Sequence, residues 1–113
     1  MKLAAAYARV STDRQEKQET IASQLDALQK AAKDRGHDLP AEFLFIDDGY
    51  SGSTLDRPAL DRLCDLVSEG AIDVVLIYAP DRLARHYAYQ VVVLEEFKRA
   101  GCEVLFLKVL QRC

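Results

Sequence analysis

The chain has 113 residues, half of them hydrophobic and 29% charged, enough for one globular domain with a real core and too few for a second. Its formal net charge is −3 and its pI about 5.3, which excludes a domain that holds nucleic acid through overall positive charge. No apolar stretch is long enough to span a membrane, and Cys64, Cys102 and Cys113 form neither a disulfide framework nor a CxxC pair, as expected of reduced thiols in a cytoplasmic protein.

The first apolar run, Leu3 to Ala8, predicts a short buried strand, and Arg9 ends it too early for a signal peptide. Val10 to Gln18 reads as a polar loop. From Thr20 to Arg35 the residues Ile21, Leu25, Leu28 and Ala32 recur at the helical period, with Gly36 as the stop. Phe43 to Ile46 predicts a second strand, followed by the loop Asp47-Asp48-Gly49-Tyr50-Ser51-Gly52-Ser53-Thr54. Asp56 is placed to cap the next helix and Pro58 suits its first turn. Leu60, Leu63 and Val67 form its inner stripe, and Gly70 closes it. Asp73 to Tyr78 predicts a third strand, broken by Pro80. A helix follows from His86 to Arg99, with Tyr87, Val91, Leu94 and Phe97 facing inward, and Val104 to Val109 is a fourth strand. Strands alternating with helices predict an α/β fold: a mainly parallel central sheet flanked by helices, its crossovers right-handed. The order of the strands is not legible.

In a parallel sheet every loop that follows a strand opens at the same edge. The first such loop region brings Arg9, Ser11 and Gln15, the second Asp48, Ser51 and Arg57, and the third Asp81, Arg82 and Arg85. A hydroxyl nucleophile and four guanidinium groups therefore converge. Phosphoryl transfer asks for that set: an in-line nucleophile and donors for the charge on the non-bridging oxygens. Arginine stays protonated and donates paired hydrogen bonds, so the four can stand where other enzymes use a metal. The same cations ease ionisation of Ser11. No histidine stands at a base position, and Asp81 is the titratable candidate for protonating the leaving oxygen. Arg82 and Arg85 at a helix start oppose the macrodipole, which asks for an anion between them.

Tyr7-x-Arg9-x-Ser11 with Gln15, then Ser51-Gly52 leading to Asp56-Arg57, then Asp81-Arg82-x-x-Arg85 resembles the catalytic domain of the serine recombinases, the resolvase and invertase family. The similarity runs from Tyr7 to Val109. It implies a resolvase-like fold in which Ser11 attacks DNA, forming a 5′-phosphoserine linkage and freeing a 3′ hydroxyl. It further implies that Arg9, Arg82 and Arg85 bind the scissile phosphate, supported by Arg57, and that Gln15, Gln24 and Ser51 complete the polar shell. Tyr7 and Asp81 would orient the site, and Asp48 would buttress the arginines or its own loop. No metal or cofactor is implied; the partners are DNA and further copies in a dimer or tetramer of the full-length protein. The long stretch between Ser11 and Gln24 points to the large-recombinase or transposase branch.

The family's domain continues into a long helix and a separate DNA-binding domain. The chain is therefore expected to be a fragment or truncated product, unable to recombine DNA alone. Two other readings compete: a non-catalytic module that associates with recombinase subunits, and a Mg²⁺-dependent phosphotransfer domain using Asp48. His37 and His86 lack metal-ligand spacing and read as surface residues, and Tyr87 and Tyr89 as packing residues.

Overall fold

The computed structural model describes residues 2–10, 20–49, 57–84 and 86–108. Four strands, β1 (Ala4–Val10), β2 (Leu44–Asp48), β3 (Val74–Ile77) and β4 (Glu103–Phe106), form one sheet in the order β2-β1-β3-β4. Every pairing is parallel. The helices are α1 (Ile21–Asp34), α2 (Pro58–Ser68), the single turn α3 (Pro80–Leu83) and α4 (Tyr87–Arg99), and a 3-10 turn at Ala41–Phe43 leads into β2. No helix among the described residues is long and apolar enough to cross a membrane.

Central strand β1 is buried along its whole length. Alanine is a poor strand former in isolation, but Ala4, Ala5, Ala6 and Ala8 leave room for helices to approach from both faces. Alternation along the strand divides the core in two. Ala4 and Ala6, with Val74 and Leu76, pack against Leu28 and Ala32 of α1. Ala5 and Tyr7, with Phe45, Val75 and Ile77, pack against Leu60, Leu63 and Val67 of α2 and against Val93 and Phe97 of α4. Burying side chains of this size stabilises the fold by roughly 1.5–3 kcal/mol each.

Thr20 caps α1, its hydroxyl accepting the Ser23 N–H at 3.1 Å. Gly36 and Gly70 follow α1 and α2 in the left-handed region, at φ 74° and 78°, where other residues are strained.

The sequence-based strands and helices are present, but the strand bounds shift: β1 runs on through Arg9 and Val10, β2 takes in Asp47 and Asp48 while Phe43 belongs to the 3-10 turn, and β4 ends at Phe106. Two further differences concern orientation. Tyr87 and Val91 do not face inward: Tyr87 is 77% exposed and Val91 37%. The buried positions of α4 are Val93 and Phe97, and residues two apart on a helix point to nearly opposite sides. The run Val91-Val92-Val93-Leu94 is apolar all round, so its periodicity does not single out the inner face. Within α1 the buried stripe is Gln24, Leu28 and Ala32, while Ile21 and Leu25 are half-buried.

Candidate active site

Because all strands run parallel, the carboxyl ends of β1, β2 and β3 lie along one edge of the sheet. β1 is paired with β3 only as far as Tyr7 opposite Ile77, yet stays paired with β2 to Val10 opposite Asp48. The Val10 carbonyl accepts the Gly49 N–H on the β2 side, at 2.8 Å. Successive residues of a strand alternate, so the main-chain groups of Arg9 point the other way, past the end of β3. Gln24 of α1 takes the place of the missing strand. Its Nε2 donates to the Arg9 carbonyl at 3.1 Å, and its Oε1 accepts the Arg9 N–H at 3.3 Å. Both groups are buried, so this amide answers a real requirement.

The Arg9 side chain, fully buried, reaches across to α3. Its Nε donates to the Arg82 carbonyl at 3.0 Å and its Nη2 to the Asp81 carbonyl at 2.7 Å. Arg9 thereby fixes the main chain of the Asp81-Arg82 turn against β1, and two of its nitrogens are committed to that work. Arg82 is buried, and the Asp81 side chain is exposed.

Arg9 and Asp47 are partners across the ladder, and Tyr7 lies two residues before Arg9 on the same face. The buried Asp47 carboxylate accepts three hydrogen bonds: Tyr7 Oη to Oδ2 at 2.8 Å, the Ala59 N–H to Oδ1 at 2.9 Å and the Leu60 N–H to Oδ2 at 3.1 Å. Hydrogen bonds to a charged group are each worth about 1.5–3 kcal/mol. Burial pushes the Tyr7 phenol far above its ordinary value; Arg57 draws it down and Asp47 pushes it further up. Tyr7 is therefore a permanent donor at neutral pH.

Over the Tyr7 ring lies Arg57, its Cζ 5.9 Å from the ring centroid, within cation–π range. Arg57 is fully buried, and among the described residues Nε, Nη1 and Nη2 all lack a hydrogen-bond partner. A buried cation with every donor idle is costly unless an anion completes it.

Comparisons with known proteins show the family. The family profile "Resolvase, N terminal domain" matches residues 4–112. The chain belongs to the resolvase N-terminal domain family. A putative DNA recombinase of Bacillus subtilis (strain 168) is 36% identical over 104 residues, covering 91% of this chain and 20% of that protein. The DNA-invertase of Escherichia phage P1 is 32% identical over 95 residues, covering 84% of this chain and 43% of that protein. Among solved structures, the N-terminal catalytic domain of TP901-1 integrase superimposes with a TM-score of 0.83 at 32% identity, covering 94% of this chain and 77% of that one. The C-terminal catalytic domain of ISC1926 TnpA, an IS607-like serine recombinase, gives a TM-score of 0.83 at 29% identity over 96% of this chain and 72% of that one. The sheet and its flanking helices are thus those of a resolvase-like catalytic domain.

Of the residues singled out in the sequence of this resolvase-family domain, Tyr7, Arg9, Gln24 and Arg57 are brought together by the contacts above, with Asp81 and Arg82 joining through their carbonyls. Asp48 ends β2, exposed, opposite Val10. Ser11, Gln15, Ser51 and Arg85 lie outside the described residues, as does Asp56. The macrodipole argument for Arg82 fails, because α3 is a single turn of four residues and carries little dipole. Arg82 is placed instead by the bond from Arg9 to its carbonyl. Asp47, not Asp48, is the buried carboxylate. Its signal was parity: Asp47 follows Phe45 by two and shares its inward face. A shallow groove of about 460 Å³ between α2 and α4, lined by Cys64, Asp65, Glu96 and Phe97 among others, lies away from this edge.

Proposed function

We propose that the chain is the catalytic domain of a serine site-specific DNA recombinase in which Ser11 is the nucleophile. The Ser11 oxygen attacks the phosphorus of a DNA phosphodiester. The Oγ–P bond forms, the P–O3′ bond breaks, and the products are a 5′-phosphoserine and a free 3′ hydroxyl. The serine proton leaves to an acceptor, and a proton is delivered to the departing O3′; Asp81, exposed beside the arginines, is the candidate donor. One ester replaces another, so rejoining by attack of a 3′ hydroxyl needs no outside energy. Arg57, Arg82 and Arg85 carry the charge on the non-bridging oxygens. Arg9, which braces α3, shares that task. Gln15, Asp48 and Ser51 complete the polar shell, while buried Tyr7 and Gln24 shape it from behind.

The observation that carries this reading is Arg57, buried with none of its donors used among the described residues, beside a second guanidinium already anchored at the same sheet edge. Removing one positioned donor of this kind typically costs about 2.7–4 kcal/mol in the barrier, roughly 100- to 1000-fold in rate. The DNA partner, the larger assembly and the further domains follow the same reading, since the chain spans only 20% and 43% of the two curated relatives above.

The test is to trap a covalent protein–DNA adduct with the full-length protein on its recombination site. The adduct should form with native protein, vanish with Ser11→Ala, and be indifferent to EDTA. An adduct that survives Ser11→Ala overturns the assignment of the nucleophile. Loss of the adduct on chelation favours the Mg²⁺ chemistry that Asp48 would serve.

A further inference from the structure

We propose that Asp47 is the positioning residue of Arg57: one carboxylate, supplied from β2, fixes both the main chain from which Arg57 departs and the ring on which its guanidinium rests. The inference rests on reading Arg57 as a phosphate-binding group.

The argument begins with the helix start. An N-cap position is normally held by Ser, Thr, Asp or Asn, because the side chain must accept a hydrogen bond from the second or third helical N–H. Arg57 occupies the N-cap of α2, with φ −134° and ψ 111°, and its side chain makes no cap bond. The orphan donors at those two positions, Ala59 and Leu60, go to the two oxygens of Asp47. The cap thus comes from a neighbouring strand, and the N-cap position is released from capping. It can carry a long cation instead.

Asp47 also fixes the ring. Oδ2, which accepts from Leu60, accepts the Tyr7 hydroxyl as well, and that bond sets the tilt and depth of the ring beneath Arg57. A carboxylate in direct contact would have consumed the guanidinium in a forked pair. Among the described residues no ion pair joins Asp47 and Arg57. The intervening ring lets the carboxylate balance the buried positive charge while all three nitrogens of Arg57 stay uncommitted among the described residues.

Two physical effects of Asp47 on an anion have opposite signs, which makes the inference testable. As a bare negative charge it weakens phosphate binding, so deleting it would strengthen binding. As a positioning group it strengthens binding, so deleting it would weaken it. The experiment is arginine side-chain NMR on the chain, following the Arg57 Nε–Hε signal with and without inorganic phosphate. In the native chain that signal should be sharp, slow to exchange with water and shifted by phosphate. With Asp47→Asn it should exchange faster, and the phosphate affinity should fall about tenfold, the scale of one lost hydrogen bond. Asp61→Asn removes an exposed charge from the first turn of α2 and should leave phosphate binding equal or tighter.

Tyr7→Phe keeps every cap bond and removes only the hydroxyl. It should free Arg57 while the Ala59 and Leu60 amides stay protected from exchange, an outcome that simple loss of α2 does not give. An Arg57 signal still protected in Asp47→Asn, with phosphate binding unchanged or tighter, overturns the inference. If Asp47→Asn does not fold, Tyr7→Phe decides: an Arg57 signal as protected as the native one overturns it. A native chain whose Arg57 signal ignores phosphate refutes the phosphate reading instead, and the exchange rates still decide whether Asp47 positions Arg57.

Discussion

At the scale of single residues, the candidate site depends on polar groups that sit where apolar ones are expected. Gln24 occupies the inner stripe of α1 between apolar neighbours, and its amide is spent on the main chain of Arg9. Gln24→Leu keeps the bulk and removes both partners, stranding a buried N–H and a buried C=O. The expected loss is about 1–3 kcal/mol for each stranded group, read as a lower urea midpoint with an unchanged slope. A midpoint equal to the native one would show that Arg9 finds other partners. The sequence discloses such a residue only by resemblance. Periodicity counts apolar positions and passes over a buried amide, and the need for Gln24 arises from β3 ending short of Arg9, a matter of strand pairing that one sequence does not display. The role of Asp47 is hidden for a related reason: the sequence offers a local cap, Asp56, whereas the structure delivers the cap from a neighbouring strand.

At the scale of elements, alternation of strands and helices was legible because each carries its own period, and because glycine and proline mark the boundaries. Gly36 and Gly70 fall just past α1 and α2, and Pro58 opens α2. Pro80 was expected to break the third strand. It does so by starting the turn α3, whose carbonyls then receive Arg9. The inner face of α4 is not legible in the sequence, since four consecutive apolar residues satisfy any helical phase. The distinction has an energetic consequence. Phe97→Ala empties a buried position between α4 and the sheet and should cost about 3–5 kcal/mol. Tyr87→Ser changes an exposed side chain and should stay within about 0.5 kcal/mol of native. Thermal unfolding of the two variants side by side checks the assignment, and equal losses would contradict it.

At the scale of the whole molecule, several buried and half-buried groups hold protons that an unfolded chain would release at high pH. Burial pushes the Cys64 thiol up from 9.0 to about 12, with Glu96, Asp61 and Asp65 adding to it. Burial likewise raises the Cys102 thiol to about 11, with help from Asp73 and Glu103, and the Tyr7 phenol lies higher still. In each case the folded value exceeds the unfolded one. Their contribution is therefore complete below about pH 9 and is lost as the pH climbs through the folded values. The denaturant midpoint should fall between about pH 9 and pH 11, and a flat profile over that interval would contradict these environments. The connection from Arg9 to the carbonyls of Asp81 and Arg82 spans most of the chain and has a temporal meaning. A ribosome that has delivered Ser11 but not yet the Asp81-Arg82 turn has made, if Ser11 is assigned as proposed, a nucleophile without its anion cradle. On the proposed reading, a half-synthesised polypeptide is harmless to the genome, and the capacity to cut arrives only when the last third of the domain closes over the first.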